Sequence, residues 1–599
     1  MLSLLLVHFR FQGHRCLRDY ANDLLEAANL IASTALESKD KKKKALVIFS
    51  GAGTSGRLCW LACQVFRSHF AGRLGQEKLV RCECSLAGGN QAFKKSVEHA
   101  EDDEHSARKA LDEIVRSHGV EEVGREHVVL VGVTCGMSAT WVASQMMKTL
   151  EDGGKAVLLG FTPFSGCRGM FARPDVYFAL TGKDKGGKEE DALGSGSAAK
   201  RQRLEGKKVF PKENIVILDP VVGPELVTGS TRLKSGTATK ICLEIIIATA
   251  WRIIHRPSNL PSSSEEYRDF RMSFIQKLLH AYEFSLRIHD CMLTKEMAGK
   301  RHPLTIGSSS LMQGGRIIYA GFGREGLLGL IDASEQLPTF GCLEDDFQGF
   351  LLDPILSQDT LEVIGKERTL SQFYKTLAKL DSKDTLVLVF NFRRLPPELQ
   401  TDVRGDAMEM FDSIKFRVSK SKFSIVTYAV LPAIRRLAGD SGVIDWISEI
   451  SDAFVRIPFA GEASLDEGSP LDPNFADLPA EIAIKSALNC FSSGCNILNG
   501  KVYGNRMIDV RLSNTKLVER ATQIVMRVAQ VSRAAAVGAI KKVLGLEGEF
   551  DEQQCISVGS KTRKVVPRAI LVATGMGLDE ATTLLTKNVK INQIIYSQM

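Results

Sequence analysis

Two stretches of the chain repeat one pattern: a short apolar run, a glycine turn, then apolar residues at helical spacing. The first is Leu46-Val47-Ile48-Phe49-Ser50 followed by GAGTSGRL (51–58), and the second is Ile317-Ile318-Tyr319-Ala320 followed by GFGREGLL (321–328). Each predicts strand, tight turn and helix, because glycine frees the backbone where an apolar run has to stop and reverse. After the first copy, apolar runs at 128–133, 156–161, 176–180 and 215–218 predict further strands; after the second, 386–390, 423–430 and 453–457 do the same. Apolar runs separated by helical or polar stretches are the mark of parallel sheets covered on both faces, so two similar α/β sheets are expected in tandem.

Helical spacing over 17–36 and 265–297 predicts long helices packed on those sheets. From Lys516 onward the pattern is helical throughout, with breaks at Gly545, Gly548 and Val565-Val566-Pro567, which suits a small helical domain. Residues 182–208 are rich in Gly, Lys, Ser and Glu and read as a disordered insertion in the first sheet. The expected organisation is an N-terminal helical segment (1–44), a first α/β domain (45–258), a second (259–512) and a helical lid (513–599).

Composition narrows the classes. With 599 residues, 44% apolar and 25% charged, the chain has the make-up of a folded globular protein. Its surplus of +7 over this length is too dilute for a nucleic-acid footprint. Thirteen Cys, an odd number without paired metal spacing, fit reduced thiols, and neither a metal nor another cofactor is expected. The most apolar run, 241–254, contains Glu244 and Arg252 and is too short to span a bilayer. The apolar stretch 3–7 is too short for a signal sequence, so the cytoplasm is the expected location.

Gly51-x-Gly53-x-x-Gly56 matches the dinucleotide fingerprint, but Glu77 precedes the next apolar run instead of ending it, where a ribose would be met. A phosphate cradle suits the turn better, with Gly53, Thr54 and Ser55 at a helix N-terminus; the plain alternative is a tight turn needing glycine for its backbone alone. GVTCGMS (132–138) forms a second glycine and hydroxyl turn through Thr134, Cys135, Gly136 and Ser138, and adjacent strand ends of a parallel sheet open into one crevice. A third turn, Gly229-Ser230-Thr231-Arg232, precedes a long helix, and its guanidinium can fork onto a carboxylate or phosphate. Alone, each is an ordinary helix cap. Glu98 and Glu101, three apart in a predicted helix, share a face suited to acid/base work or to plain solvation. Asp332-Ala333-Ser334-Glu335, on the helix after the second glycine turn, places a carboxylate at the crevice mouth or in solvent.

Together GAGTSGRL (51–58), AGG (87–89), VEHAED (97–102), GPELVTGSTRLKSGTATK (223–240) and LNGKVYGNRMIDVRLSNTKLVERA (498–521) resemble the sugar isomerase (SIS) domain family. The resemblance is to the branch comprising the N-acetylmuramic acid 6-phosphate etherases and the glucokinase regulatory proteins, and runs from about residue 17 to the end, excluding 182–208. It implies two tandem SIS domains, each a parallel five-stranded sheet flanked by helices, under an all-helical lid. An etherase resembles a single SIS domain working as a homodimer, whereas the tandem layout is that of the regulators. GVTCGMSATWVASQM (132–146), GCLEDDFQGFLL (341–352) and LNCFSSGCNILNGKV (488–502) also look more like the regulators.

The function implied is a monomeric sensor, an internal pseudo-dimer, that binds fructose 6-phosphate or fructose 1-phosphate and inhibits a glucokinase or hexokinase-type partner. The alternative is an etherase releasing lactate with Glu101 and Glu335 as acid and base. By the same resemblance Gly53, Thr54 and Ser55 hold the phosphate with Thr134, Cys135, Gly136 and Ser138, Thr231 and Arg232 lie alongside, and Glu98 and Glu101 bond sugar hydroxyls. The first copy has Val65 where the family has a glutamate, and the second supplies it as Glu335 but lacks the AGG and VEHAED stretches, so one composite site per chain is implied. Lys516 of the lid would reach the same sugar. The basic run at 200–208 reads as a solvated linker or as a nuclear import patch, and RIPFAGEASL (456–465) departs from the bulky aromatic cluster associated with glucokinase docking.

Overall fold

The repeated apolar runs form two parallel five-stranded sheets of the same strand order. The first holds β1 (Ala45–Gly51), β2 (Val80–Leu86), β3 (Val128–Val133), β4 (Lys155–Leu159) and β5 (Ile215–Leu218), ordered β2-β1-β3-β4-β5. The second holds β6 (Ile317–Gly321), β7 (Phe347–Leu351), β8 (Thr385–Asn391), β9 (Ser424–Leu431) and β10 (Ala453–Pro458), ordered β10-β9-β8-β6-β7. Read from the other edge, that is the order of the first sheet. Phe49 pairs with Val131 in one and Tyr319 with Val387 in the other. The computed structural model describes residues 13–70, 80–95, 97, 100–119, 123–185, 209–255, 264–286, 301–394, 406–431, 447–458, 474–512, 515–586 and 590–598.

Three expectations need correction. Residues 176–180 are not a strand: they lie in the helix Pro174–Thr181, opened by Pro174 in its first turn and closed by Gly182 at φ +69°. The strand that completes the first sheet is β2, whose sequence VRCECSL mixes charged and thiol side chains as befits an edge; β7, FQGFL, is the corresponding edge of the second sheet. Val565-Val566-Pro567 opens the helix Val565–Ala573 instead of breaking one, since proline is tolerated in a first turn where backbone N–H groups lack intrahelical acceptors. Of the expected insertion, 186–208 lies outside the described residues, as do 287–297 of the expected helix 265–297 and 459–465 of RIPFAGEASL.

Helices α1 (Ala21–Asp40), α2 (Gly53–Phe70), α3 (Lys234–Ile254), α4 (Glu265–Leu286), α5 (Gly323–Phe340) and α6 (Leu478–Leu498) pack on the sheets and on one another. α3 is buried from Lys234 to Ala250, and one apolar cluster runs from β1 through α3, α4 and α6 to β6 and into the C-terminal helices. The third glycine of each turn is required by close packing. A Cβ at Gly56 would lie 2.2 Å from Leu86 Cδ1 and 2.6 Å from Gly51 O; at Gly326 it would lie 2.4 Å from Gly321 O.

The C-terminal part is all-helical after the short hairpin β11 (Val502–Tyr503) and β12 (Arg506–Met507), beginning with α7 (Thr515–Ala529). It docks on the first α/β unit, where Thr228 N donates to Asn505 O at 2.7 Å beside the bridge from Thr228 to Arg506. Among the described residues no disulfide is formed by the twelve cysteines. Among the described residues no helix is long and apolar enough to cross a membrane.

Candidate functional site

In a parallel sheet of this order the strand connections diverge between β1 and β3, leaving a crevice at their C-terminal ends where ligands are commonly held. Both hydroxyl-bearing turns open there. Gly53, at φ +54°, starts α2; it is exposed, Thr54 is half-buried and Ser55 is buried. Ser55 Oγ lies 3.4 Å from Cys135 Sγ, which lies 3.9 Å from Thr239 Oγ1 of α3, so the two turns and α3 meet. Thr134 Oγ1 accepts the N–H groups of Ser138 and Ala139, both at 3.2 Å, and so holds the second turn in shape. A Cβ at Gly136 would stand 3.1 Å from Arg168 Nη2, which adds an exposed guanidinium that no sequence signal marked.

The start of α3 forms the third wall. Glu225 accepts the N–H groups of Lys234 and Ser235 at 2.8 and 2.9 Å, a carboxylate cap on the helix N-terminus. A Cβ at Gly236 would lie 3.5 Å from Lys485 Nζ of α6 and 3.6 Å from Thr54 Cγ2. The second α/β unit thus sends a lysine to the first unit's glycine turn. Thr231 is exposed and its carbonyl accepts from Gly236 N at 2.7 Å.

Arg232 forks as expected, but onto protein groups. Its guanidinium, 2% exposed, donates to Asp332 Oδ1 at 2.8 Å, Ser493 Oγ at 2.7 Å, Asn489 Oδ1 at 3.2 Å and Ser492 Oγ at 3.3 Å. Asp332 and Glu335 are 3% and 4% exposed, so neither sits at a crevice mouth or in solvent; they are buried in the seam between the units because α5 packs on α6 and α2 there. Glu335 Oε2 is 3.8 Å from Arg232 Nη1, and Glu335 Oε1 is buried with no hydrogen-bond partner among the described residues. Burial pushes the Asp332 carboxyl up to about 6 against the pull of Arg232, and pulls the Lys485 ammonium down to about 8 despite Glu335. Arg57 of α2, also in reach of Glu335, has its pKa lowered by burial.

Glu101 lies in a single 3-10 turn, Ala100–Asp102, ahead of the helix Glu104–Ser117, and Glu98 lies outside the described residues. Arg520 of α7 approaches from the lid: a Cβ at Gly229 would stand 2.8 Å from Arg520 Cζ. Burial lowers the pKa of Arg520 and Glu101 raises it, which places the two within electrostatic reach. The side chain of Lys516, one turn earlier on α7, is outside what the structure describes.

The second glycine turn is differently furnished. Gly323 N donates to Asp353 Oδ2 at 2.7 Å, and the buried Glu325 accepts from Arg394 Nη1 at 3.2 Å and Asn391 Nδ2 at 3.3 Å. Glu481 of α6, 0% exposed, accepts from Arg324 Nε at 2.6 Å, Arg394 Nη1 at 2.7 Å and Lys240 Nζ at 2.7 Å. Lys240 also pairs with Glu244. Burial works against the Glu481 carboxylate, but Arg324, Lys240 and Arg394 outweigh it and hold its pKa well below the usual range. The first turn presents Gly53, Thr54 and Ser55 at the start of α2, whereas the second faces carboxylates of its own chain.

The N-terminal SIS domain model of glucokinase regulatory protein matches residues 29–150, and the model of that protein's C-terminal lid domain matches 504–595. The chain is 26% identical over 576 residues to the glucokinase regulatory proteins of Mus musculus and of Homo sapiens, covering 92% of this chain and 81% of each of those proteins. It is 30% identical over 242 residues to an N-acetylmuramic acid 6-phosphate etherase of Prochlorococcus marinus (strain NATL1A), covering 40% of this chain and 67% of the etherase. Among solved structures, the C-terminal domain of glucosamine-fructose-6-phosphate aminotransferase from Francisella tularensis matches at 10% identity and a TM-score of 0.39, over 80% of this chain and 94% of that one.

Proposed function

The chain belongs to the sugar isomerase domain family, in the branch of the glucokinase regulatory proteins and the N-acetylmuramic acid 6-phosphate etherases, and on that premise we propose that it is a phosphosugar-binding regulator of a glucokinase or hexokinase-type kinase. The observation that carries the reading is convergence on one turn. Ser55 lies against Cys135 of the second turn, Thr54 and the second unit's Lys485 both flank Gly236, and the lid's Arg520 stands against Gly229 of the loop that leads into α3. In this reading Gly53, Thr54 and Ser55 hold the phosphate with Cys135, Gly136 and Ser138, Thr134 fixes the second turn, and Glu101, Glu335 and Lys516 face the sugar. Fructose 6-phosphate and fructose 1-phosphate are the proposed ligands, and the work is done in the cytoplasm, with nuclear entry through the basic run at 200–208. Because the lid touches the loop at 228–229, a sugar that contacts both would bias the lid's placement and with it any surface the lid presents. Linkage then requires sugar and kinase to change each other's affinity by the same factor.

The test is calorimetric titration with each fructose phosphate, followed by a glucokinase assay in which the chain is added with and without the sugar that binds. Inhibition whose strength moves with the sugar is the expected result. A second reading, the etherase, is favoured by one observation, a buried oxygen of Glu335 with no hydrogen-bond partner among the described residues, a carboxyl suited to acid or base work. Lactate released from N-acetylmuramic acid 6-phosphate in excess over protein, and lost in Glu101→Gln and Glu335→Gln, would replace the regulator with that enzyme.

A further inference from the structure

The two glycine turns sit in matching surroundings. Gly53-Thr54-Ser55 and Gly323-Arg324-Glu325 are 270 residues apart, and one spacing of 245 residues relates both Gly236 to Glu481 and Lys240 to Lys485. Contacts repeat along with the spacing. Position 236 of α3 faces its own unit's turn at Thr54 and the other unit's Lys485, at 3.6 and 3.5 Å from a notional Cβ. Position 481 of α6 faces its own unit's turn at Arg324 and the other unit's Lys240, at 2.6 and 2.7 Å from its carboxylate oxygens. A carboxylate fills the space between turn and crossing lysine in the second site. The first site has only a glycine hydrogen there.

We infer that Lys485 is a ligand-binding residue of the first site, donating across the unit boundary to the anionic group of a phosphosugar as Lys240 donates to Glu481, and that Glu481 closes the second site to any such ligand. The inference rests on the phosphosugar reading above and adds to it a contact and the residue that closes the second turn. Lys485, 5% exposed, donates to Arg232 O at 2.8 Å and Thr237 Oγ1 at 3.3 Å, two of the three donors an ammonium carries. Burial pulls its pKa to about 8 against the carboxylates of Glu335, Asp332 and Glu225, and an anion held closer would favour its charged form. In the second site the lysine, two arginines and their carboxylates are already matched, so an incoming phosphate would have to displace Glu481 and leave it buried and unpaired.

Two variants test this by titration of the full chain with fructose 6-phosphate. Lys485→Met removes the ammonium at similar volume, and Gly236→Glu keeps it but supplies the carboxylate that the second site carries. Wild type should take one sugar per chain, Lys485→Met should bind about tenfold more weakly or worse, and Gly236→Glu should not bind measurably, since a hydrogen bond to a charged group commonly carries that much. Both should melt at or above the wild-type temperature, because one loses a buried charge and the other pairs it. Should methionine at 485 unfold the chain, Gly236→Glu decides alone. Wild-type affinity in a folded Gly236→Glu chain, or two sugars per wild-type chain, overturns the inference and leaves the functional reading standing. No fructose phosphate binding by wild type, with either isomer, overturns both.

Discussion

Replacing Arg232 by methionine should loosen the seam between the two α/β units, by an amount that depends on pH. The guanidinium is 2% exposed and spans Asp332 on α5 and Asn489, Ser492 and Ser493 on α6. Deleting one partner of a buried ion pair typically costs about 3–5 kcal/mol. Its electrostatic share follows from Asp332, whose pKa burial pushes up to about 6 in the folded chain, against about 3.9 when unfolded. For a carboxyl raised in this way, the folded wild type keeps a proton that the unfolded chain has already released. Its contribution to stability is therefore full below about pH 4, declines as pH rises to about 6, and is flat beyond.

Without Arg232, Asp332 stays protonated in the folded state well past neutrality, so the variant goes on losing about 1.4 kcal/mol per pH unit. The gap between variant and wild type should thus be smallest at about pH 6 and below, where Asp332 is neutral and what is lost is packing and the guanidinium's hydrogen bonds to uncharged partners. Above that it should widen by about 1.4 kcal/mol per unit. Urea unfolding followed by circular dichroism between about pH 5.5 and 8 measures the gap directly. A gap that does not change with pH would refute a charged pair. No gap at all would refute a buried seam.

Three further outcomes are expected. Gly56→Ala should destabilise by about 1–3 kcal/mol in thermal unfolding, because its Cβ would stand 2.6 Å from Gly51 O. Thr134→Val leaves the N–H groups of Ser138 and Ala139 without their side-chain acceptor and should cost about 1–3 kcal/mol, together with weaker fructose phosphate binding, whereas Thr134→Ser should keep both. Fructose 6-phosphate affinity should fall as pH rises through about 8, where the free chain's Lys485 gives up its proton, and this step should vanish in Lys485→Met when titrations are repeated across pH.

The glycine turns and the doubled sheet were legible because a strand, a tight turn and a helix N-terminus need glycine and hydroxyls at fixed places. The edge strands were not. VRCECSL carries half-buried Arg81, Glu83 and Cys84 and FQGFL a half-buried Gln348 beside a glycine, so both lack the continuous apolar run by which inner strands such as β3 stand out. Residues 176–180, apolar but short, fit strand and helix equally until Pro174 and Gly182 are counted as start and stop. In the site, Thr54, Ser55 and the 134–138 turn came together as their spacing suggested. Burial of Arg232, Asp332 and Glu335 was hidden because it depends on which helices of the two units face each other. Lys485 went unmarked, though a signal existed: Glu481 and Lys485 are charges set into the otherwise apolar run at 478–488, where ionic side chains need partners.

The crossing lysines carry a lesson about symmetry. Two identical chains paired about a twofold axis would write every substitution twice, so a glutamate that seals one turn would seal both, and a glycine that opens one would open both. Joined end to end, the halves are released from that rule. Glu481 and Gly236 hold the same place in the two halves and do opposite things, and Val65 and Glu335 likewise. In the reading proposed above, one turn holds the halves together and the other takes the sugar, a division of labour that two identical chains cannot make.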